Sequence, residues 1–179
     1  MLLNCHTYYS YKFGSLSIDE LIDEVKDKNY DCAALTDINN TSACIHFIRT
    51  CLNHNIKPVL GIDFRIGVQQ QYVGIAQNNA GFQQLNEHLT HHLHSGEKFA
   101  TNAPDFTDAF IIYPFGANAP VELKENEFIG IKPNQLNKLP FSNWKNHTAK
   151  IVILQSVSFR HKRDFNIHRL LRAIDKNVL

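Results

Sequence analysis

The sequence lacks the features that mark membrane, secreted and disulfide-stapled proteins. No apolar run approaches the roughly 18 residues that a membrane-spanning helix needs, so we expect no membrane partner. The first residues carry neither a basic segment nor an apolar one, which argues against a secretory signal. The four cysteines include no CxxC pair and favour reduced thiols in a core. The sequence therefore predicts a cytoplasmic location.

The chain also lacks an excess of charge of either sign. Eighteen basic and 17 acidic residues give a formal net charge of +1, which excludes a general attraction to nucleic acid or to a membrane surface. The hydrophobic fraction of 44% is ordinary for a globular protein, and 179 residues suffice for one substantial core. No internal repeat or low-complexity tract interrupts the chain. We therefore expect one domain over residues 1–179.

Short apolar segments that predict strands alternate with segments that predict helices. A capping box, Ser17 with Glu20, marks the first helix, and Asn40 or Thr41 is expected to cap the second. The predicted strands are residues 2–5, 32–36, 57–66, 70–77, 108–113, 127–131 and 150–155. The remaining helices are predicted at 80–93, 134–139 and 164–176. This alternation predicts an α/β fold with a largely parallel sheet.

Polar residues lie at or near the carboxyl ends of the first three predicted strands. His6, Asp37 and Asp63 take these places, and parallel α/β folds keep their chemistry at that end of the strands. They are the first candidates for a functional site. The alternative is structural, with His6 hydrogen-bonded, Asp37 capping a turn and Asp63 accepting a backbone N–H.

Three phrases around these residues resemble a known family. Residues 4–10 (NCHTYYS), 34–40 (ALTDINN) and 56–63 (IKPVLGID) resemble the family phrases HxHxxYS, ALTDH.N and IKP.xG.E, in the same order. The family is the PHP (polymerase and histidinol phosphatase) domain at the amino terminus of bacterial replicative DNA polymerase III α subunits. The resemblance implies a distorted, TIM-barrel-like (β/α)7 barrel with mostly parallel strands. It also implies that residues 1–179 are a piece of a longer polymerase chain.

The resemblance implies a metal site that has lost most of its ligands. Active PHP sites hold two or three divalent ions between His, Asp and Glu side chains, which activate water for phosphoester hydrolysis. This sequence keeps His6 and Asp37 and has Asp63 in place of a Glu, so these three are predicted to be vestigial metal ligands. We predict no catalytic residue and no cofactor beyond weakly bound zinc or manganese. Other ligand positions fall on Asn4, Ile38, Gln71, Ser156 and Ser158.

The resemblance further implies a role in DNA replication. The parent chain would be a DNA-directed DNA polymerase (a nucleotidyltransferase), and this domain would be an inactive scaffold that supports it. Expected partners are the remainder of the polymerase chain, DNA through that polymerase, and a proofreading exonuclease subunit. The alternative function is an active, metal-dependent PHP phosphoesterase or 3′-5′ exonuclease.

Three other groups of residues could have a functional role. His88 and His92 are spaced to bind zinc on one helix face, which would suit a metal-binding interaction module, or they belong to a polar helix end. The basic run at 160–163 could contact nucleic acid or an acidic partner, although a solvated loop and helix start is the more ordinary interpretation. Tyr8, Tyr9 and Tyr11 could stack on single strands, or pack at the barrel mouth.

Overall fold

The computed structural model describes residues 1–116 and 119–178 and shows an alternating α/β chain. The strands are Leu2–Cys5 (β1), Cys32–Leu35 (β2), Lys57–Ile66 (β3), Gln69–Ala76 (β4), Ala109–Pro114 (β5), Glu127–Ile131 (β6), Ile151–Ile153 (β7) and Ser156–Val157 (β8). The α-helices are Ile18–Asp27 (α1), Cys44–Asn53 (α2), Asn79–Ser95 (α3) and Lys162–Asp175 (α4). Two 3-10 helices, Pro133–Phe141 and Thr148–Lys150, lie between β6 and β7.

The chain divides into two compact units, and β3 runs from the first into the second. The first unit comprises residues 1–62 with the residues from 156 onward, and the second comprises residues 63–155. In the first unit β3, β2, β1 and β8 are neighbours in that order, and every pair is parallel. In the second unit β4 pairs antiparallel with β5, whereas β5–β6 and β6–β7 are parallel. The strands are thus mostly parallel.

The fold class predicted from the sequence is confirmed, with differences in detail. An eighth strand, Ser156–Val157, was not predicted, because two residues show no periodicity. The predicted cap of α2 is wrong. Ala43 is the cap residue and has no side-chain bond, while the Asn40 side chain accepts the Ser42 N–H instead. The capping box of α1 is present, with reciprocal bonds between Ser17 and Glu20.

Each unit buries its own apolar face. In the first, α1 buries Ile18, Leu21, Ile22 and Val25, which recur at helical spacing. In the second, the strands and α3 bury large side chains that include Phe64, Tyr72, Leu85 and Ile111. None of the helices in the described part of the chain combines the length and the apolar character that crossing a bilayer requires.

Candidate functional site

The parallel strands of the first unit bring His6 and Asp37 to one edge of their sheet. His6 directly follows β1, and Asp37 lies two residues after the end of β2. Both side chains are buried, with 0% and 1% of their surface exposed. Since β1 also pairs in parallel with β8, Ser158 comes to the same edge one residue past that strand. Of the three predicted site residues, these two therefore share one location.

Asp37 is surrounded by hydrogen-bond donors of the loop that follows β1. Its Oδ1 accepts the Thr7 backbone N–H at 2.7 Å and the Ser10 hydroxyl at 2.7 Å. Its Oδ2 accepts the Thr7 hydroxyl at 2.8 Å. The carboxylate therefore fastens the loop after β1 to the end of β2, a different contact from the turn cap that the structural alternative predicts.

Both hydroxyls are oriented toward Asp37 by backbone groups behind them. The Tyr9 N–H donates to Thr7 Oγ1 at 3.3 Å, and the Ile38 N–H donates to Ser10 Oγ at 2.9 Å. A hydroxyl whose oxygen accepts a hydrogen bond from the backbone can direct its own O–H at the carboxylate on the other side. Consecutive hydrogen bonds of this kind polarise one another. Burial raises the pKa of the Asp37 carboxyl, while the Ser10 and Thr7 bonds and the nearby His6 oppose that rise.

The loop can reach Asp37 because it turns tightly. The Ser10 N–H donates to the Thr7 carbonyl, and the Gly14 N–H donates to the Ser10 carbonyl. A Cβ atom on Gly14 would lie 1.9 Å from the Thr7 carbonyl oxygen, so no other residue fits without moving the loop. Glycine at this point keeps Thr7 and Ser10 close enough to bond the carboxylate.

His6 and Asn4 connect β1 to β8 and β2 through side chains. The His6 Nδ1 lies 2.9 Å from the Ser158 hydroxyl oxygen. The Asn4 amide donates to the Ser156 hydroxyl at 2.9 Å and accepts the Thr36 hydroxyl at 3.0 Å. Positions that the family resemblance assigns to metal ligands thus bond to one another across the strands.

Asp63 belongs to the second unit, on the later part of β3, and meets a cation of its own chain. Its Oδ2 accepts the Arg65 guanidinium twice, from Nε at 3.0 Å and from Nη2 at 2.7 Å. The Gln70 amide donates to the same oxygen at 2.9 Å. Asp63 is fully buried and Arg65 is 8% exposed, so this is a buried ion pair. Gln71 does not join it, because its amide donates to the Gln69 carbonyl.

The residues present do not fit the multinuclear metal centre that the resemblance implies. A divalent ion needs several unprotonated oxygen or nitrogen donors directed at one point. Here the Asp37 oxygens accept three protein donors, and the guanidinium of Arg65 lies against Asp63. Among the described residues, no group of three or more His, Cys, Asp or Glu side chains is arranged to hold a metal ion.

The histidine cluster on α3 makes bonds within the protein. His88 Nε2 lies 2.7 Å from the Tyr72 hydroxyl, and His92 Nδ1 lies 3.0 Å from the Glu97 carbonyl oxygen. The His88 ring also packs beside Phe64 and Phe99. Burial, with the neighbouring histidines, lowers the pKa of His88 to about 4, so this ring is neutral at pH 7. These contacts favour a structural role for His88 over zinc binding.

The basic run and the tyrosines also have structural contacts. Arg160 pairs with Glu24 at 2.5 Å and with Asp27 at 3.2 Å, which fastens the start of α4 to α1. Tyr8 and Tyr9 stack on each other with ring centroids 4.8 Å apart, and Tyr8 is half exposed. Arg160 is therefore engaged within the protein.

Sequence reasoning missed Thr7, Ser10 and Arg65, and for two different reasons. Arg65 could have been found, because residues two apart on a strand point to the same face, so Arg65 follows Asp63 on its side of β3. Thr7 and Ser10 lie inside the quoted phrase at 4–10, but the sequence does not show that the loop folds back onto Asp37.

Comparisons with known proteins agree with the sequence resemblance. A family model described as the PHP domain matches residues 3–114. The DNA polymerase III subunit alpha of Ureaplasma parvum serovar 3 is 27% identical over 176 residues, which is 98% of this chain and 16% of the relative. The subunit of the same name in Mycoplasma genitalium is 35% identical over 92 residues, 49% of this chain and 10% of the relative. The chain thus spans about a sixth, or less, of the length of these relatives.

Proposed function

This chain belongs to the PHP domain family, and from that premise we propose that it is the amino-terminal PHP segment of a bacterial DNA polymerase III α subunit. The parent chain would carry out template-directed DNA synthesis during replication in the cytoplasm. Its polymerase active site and its contacts with DNA would lie outside these 179 residues. The segment itself would act as a catalytically inactive scaffold for the polymerase.

The extent of the match supports the polymerase assignment. The Ureaplasma relative aligns with 98% of this chain, so the likeness extends beyond the residues that match the family model. The same alignment covers 16% of that relative, which leaves most of a polymerase chain for other tasks. The complete reading frame of the gene tests this assignment. A frame that ends without a polymerase region would contradict it.

The hydrogen bonding of Asp37 is the observation that carries the scaffold assignment. A carboxylate accepts a metal through lone pairs that are directed at the ion, whereas Asp37 directs both oxygens at Thr7 and Ser10. Exchanging three short bonds for one ion would also remove three of the bonds that hold the loop after β1. Asp63 supports the same assignment, because a positive guanidinium repels a divalent ion approaching its carboxylate.

A metal titration tests the absence of hydrolytic activity. We expect no turnover of p-nitrophenyl phosphate or of single-stranded DNA above background when Mn²⁺ or Zn²⁺ is added to the purified protein. The control is the Asp37→Ala variant, which should give the same background. Metal-dependent turnover that Asp37→Ala abolishes would replace the scaffold assignment with the phosphoesterase alternative.

We also propose that the scaffold docks the proofreading exonuclease subunit of the same replicase. The motivation is an intact α/β scaffold that lacks a fitting metal site of its own, so the proofreading activity would be supplied by another chain. Analytical gel filtration or calorimetry of the full polymerase with that exonuclease tests the proposal. Equal binding by the full polymerase and by a version without residues 1–179 would contradict it.

A further inference from the structure

The last helix, α4, presents two opposite faces with different surroundings. Phe165, His168 and Arg172 recur at helical spacing and make the contacts of its inner face, while the Phe165 side chain stays 41% exposed. Ile167, Leu170 and Ile174 recur on the other side, and we call these three residues the outer stripe. Their exposed fractions are 42%, 60% and 54%, and α4 has no buried residue at all. An ordinary surface helix turns such a stripe toward the core.

The contacts of the inner face keep the helix from rotating to bury the outer stripe. His168 Nδ1 lies 2.6 Å from the Phe13 carbonyl oxygen, and its ring packs edge-on against the Phe13 ring with centroids 4.9 Å apart. The Arg172 guanidinium lies 5.3 Å from the centroid of that ring, and Phe165 packs on Phe159 at 5.2 Å. Because the inner face is fixed by these contacts, the outer stripe faces away from the residues that α4 packs against.

We infer that the outer stripe of α4 is the surface on which another part of the polymerase chain docks. This inference rests on the proposed function, since it needs a longer chain of which these residues are one part. The Ureaplasma relative has most of its length outside the aligned stretch, so a covering segment of the same polypeptide is available.

Size favours a segment of the same chain over a second copy of it. A stable complex between separate proteins buries about 800 Å² on each partner, which three side chains on one helix do not provide. A segment tethered to α4 has a high effective concentration and needs fewer contacts. Arg163 lies four residues before Ile167 on the same face, so the docked segment should be apolar with an acidic residue near Arg163.

Thiol labelling at matched positions tests the inference. Leu170→Cys places a thiol in the outer stripe, and Val68→Cys places one at an isolated, equally exposed position (58% against 60%). In the 179-residue protein both should react readily with a maleimide. In the full polymerase, the Leu170→Cys thiol should react at least about ten-fold more slowly than in the 179-residue protein. The Val68→Cys thiol should keep its rate. Mass spectrometry of the labelled peptides separates these thiols from native cysteines.

The other outcomes overturn the inference in distinguishable ways. An unchanged rate at Leu170→Cys, or equal slowing at both positions, would show that the stripe is not specifically covered. A labelling rate at Leu170→Cys that falls as protein concentration rises would indicate that a second copy of the chain covers the stripe. Slowing that appears only after addition of the exonuclease subunit would indicate that partner. If the reading frame encodes no polymerase, the proposed function fails as well; in the other cases it stands.

Discussion

Each of the two units buries a carboxylate of the candidate site, Asp37 in the first and Asp63 in the second, and the two are satisfied in different ways. In the first unit, Asp37 receives bonds from a backbone N–H and two hydroxyls. In the second, Asp63 receives a guanidinium and an amide. Neutral donors leave the negative charge of Asp37 in place, whereas Arg65 balances the charge of Asp63. A buried carboxylate can therefore be satisfied by neutral hydrogen-bond donors alone or by an internal cation.

Because only Asp63 relies on a positive charge, we expect the largest loss of stability when Arg65 is replaced. The Arg65→Met variant removes the balancing charge and leaves a fully buried carboxylate beside an apolar side chain. Breaking a buried ion pair from one side costs about 3–5 kcal/mol, so urea denaturation should show a loss of that order in the free energy of unfolding.

A second substitution separates lost charge balance from lost packing. The double variant Asp63→Asn/Arg65→Met removes both charges and should recover much of the stability lost in Arg65→Met. A single-variant loss below about 1 kcal/mol, typical of a surface pair, would contradict the contrast between the two carboxylates.

A smaller loss is expected when the neutral-donor carboxylate is removed. Asp37→Ala leaves a buried N–H and two hydroxyls of Thr7 and Ser10 without their acceptor, which should lower the free energy of unfolding by about 2–3 kcal/mol. No opposite charge is stranded, so the loss should stay below that of Arg65→Met. Asp31→Ala, at an exposed acidic position of the same unit, is the control and should change stability by less than about 0.5 kcal/mol. Equal losses in Asp31→Ala and Asp37→Ala would refute the prediction.

Removal of one neutral donor should have a smaller effect again. Ser10→Ala deletes a bond to Asp37 and an acceptor for the Ile38 N–H, for an expected loss of about 1–1.5 kcal/mol. It should also raise the pKa of Asp37 further, because the Ser10 bond is one of those that lower it. NMR titration of the Asp37 carboxyl carbon measures this shift. A fall in that pKa would contradict the role of Ser10 as a donor.

The smallest predicted effect is a pH dependence that arises from Asp37. Its folded pKa lies above the ordinary value of 3.8 because of burial, so the folded state holds the proton more tightly than the unfolded state does. The stabilising contribution is therefore full below 3.8 and is lost as pH rises through the folded pKa. Denaturation curves across this window should show the wild type losing stability relative to Asp37→Asn. A relative gain with rising pH would contradict the sign.

The sequence predicts the regular parts of this fold because their signals are local. The apolar run of β3, the capping box at Ser17 and the helical spacing in α1 depend on neighbours a few residues away, and each agrees with the structure. The failures depend on distant contacts or on very short segments. The pairing that makes a strand of Ser156–Val157 requires β1, 152 residues earlier.

The candidate site shows the same division. His6 and Asp37 could be placed at strand ends, because strand ends are visible in the hydrophobic pattern, whereas Asp63 lies within β3. Their bonding could not be predicted, since Asp37 meets Thr7 and Ser10 across 30 and 27 residues of chain. His88 is similar: its spacing to His92 is evident, but nothing local reveals that the Tyr72 hydroxyl lies at its ring nitrogen.

The aromatic ring of Phe13 touches two places that otherwise have separate roles. One edge meets the His6 ring at 5.2 Å, beside the Asp37 loop, and the His168 and Arg172 side chains of α4 surround it elsewhere. A displacement of α4 would thus reach the end of β1 through the packing of the Phe13 ring. The NMR chemical shift of a fluorine atom placed on that ring would therefore change when the packing changes on either side of it.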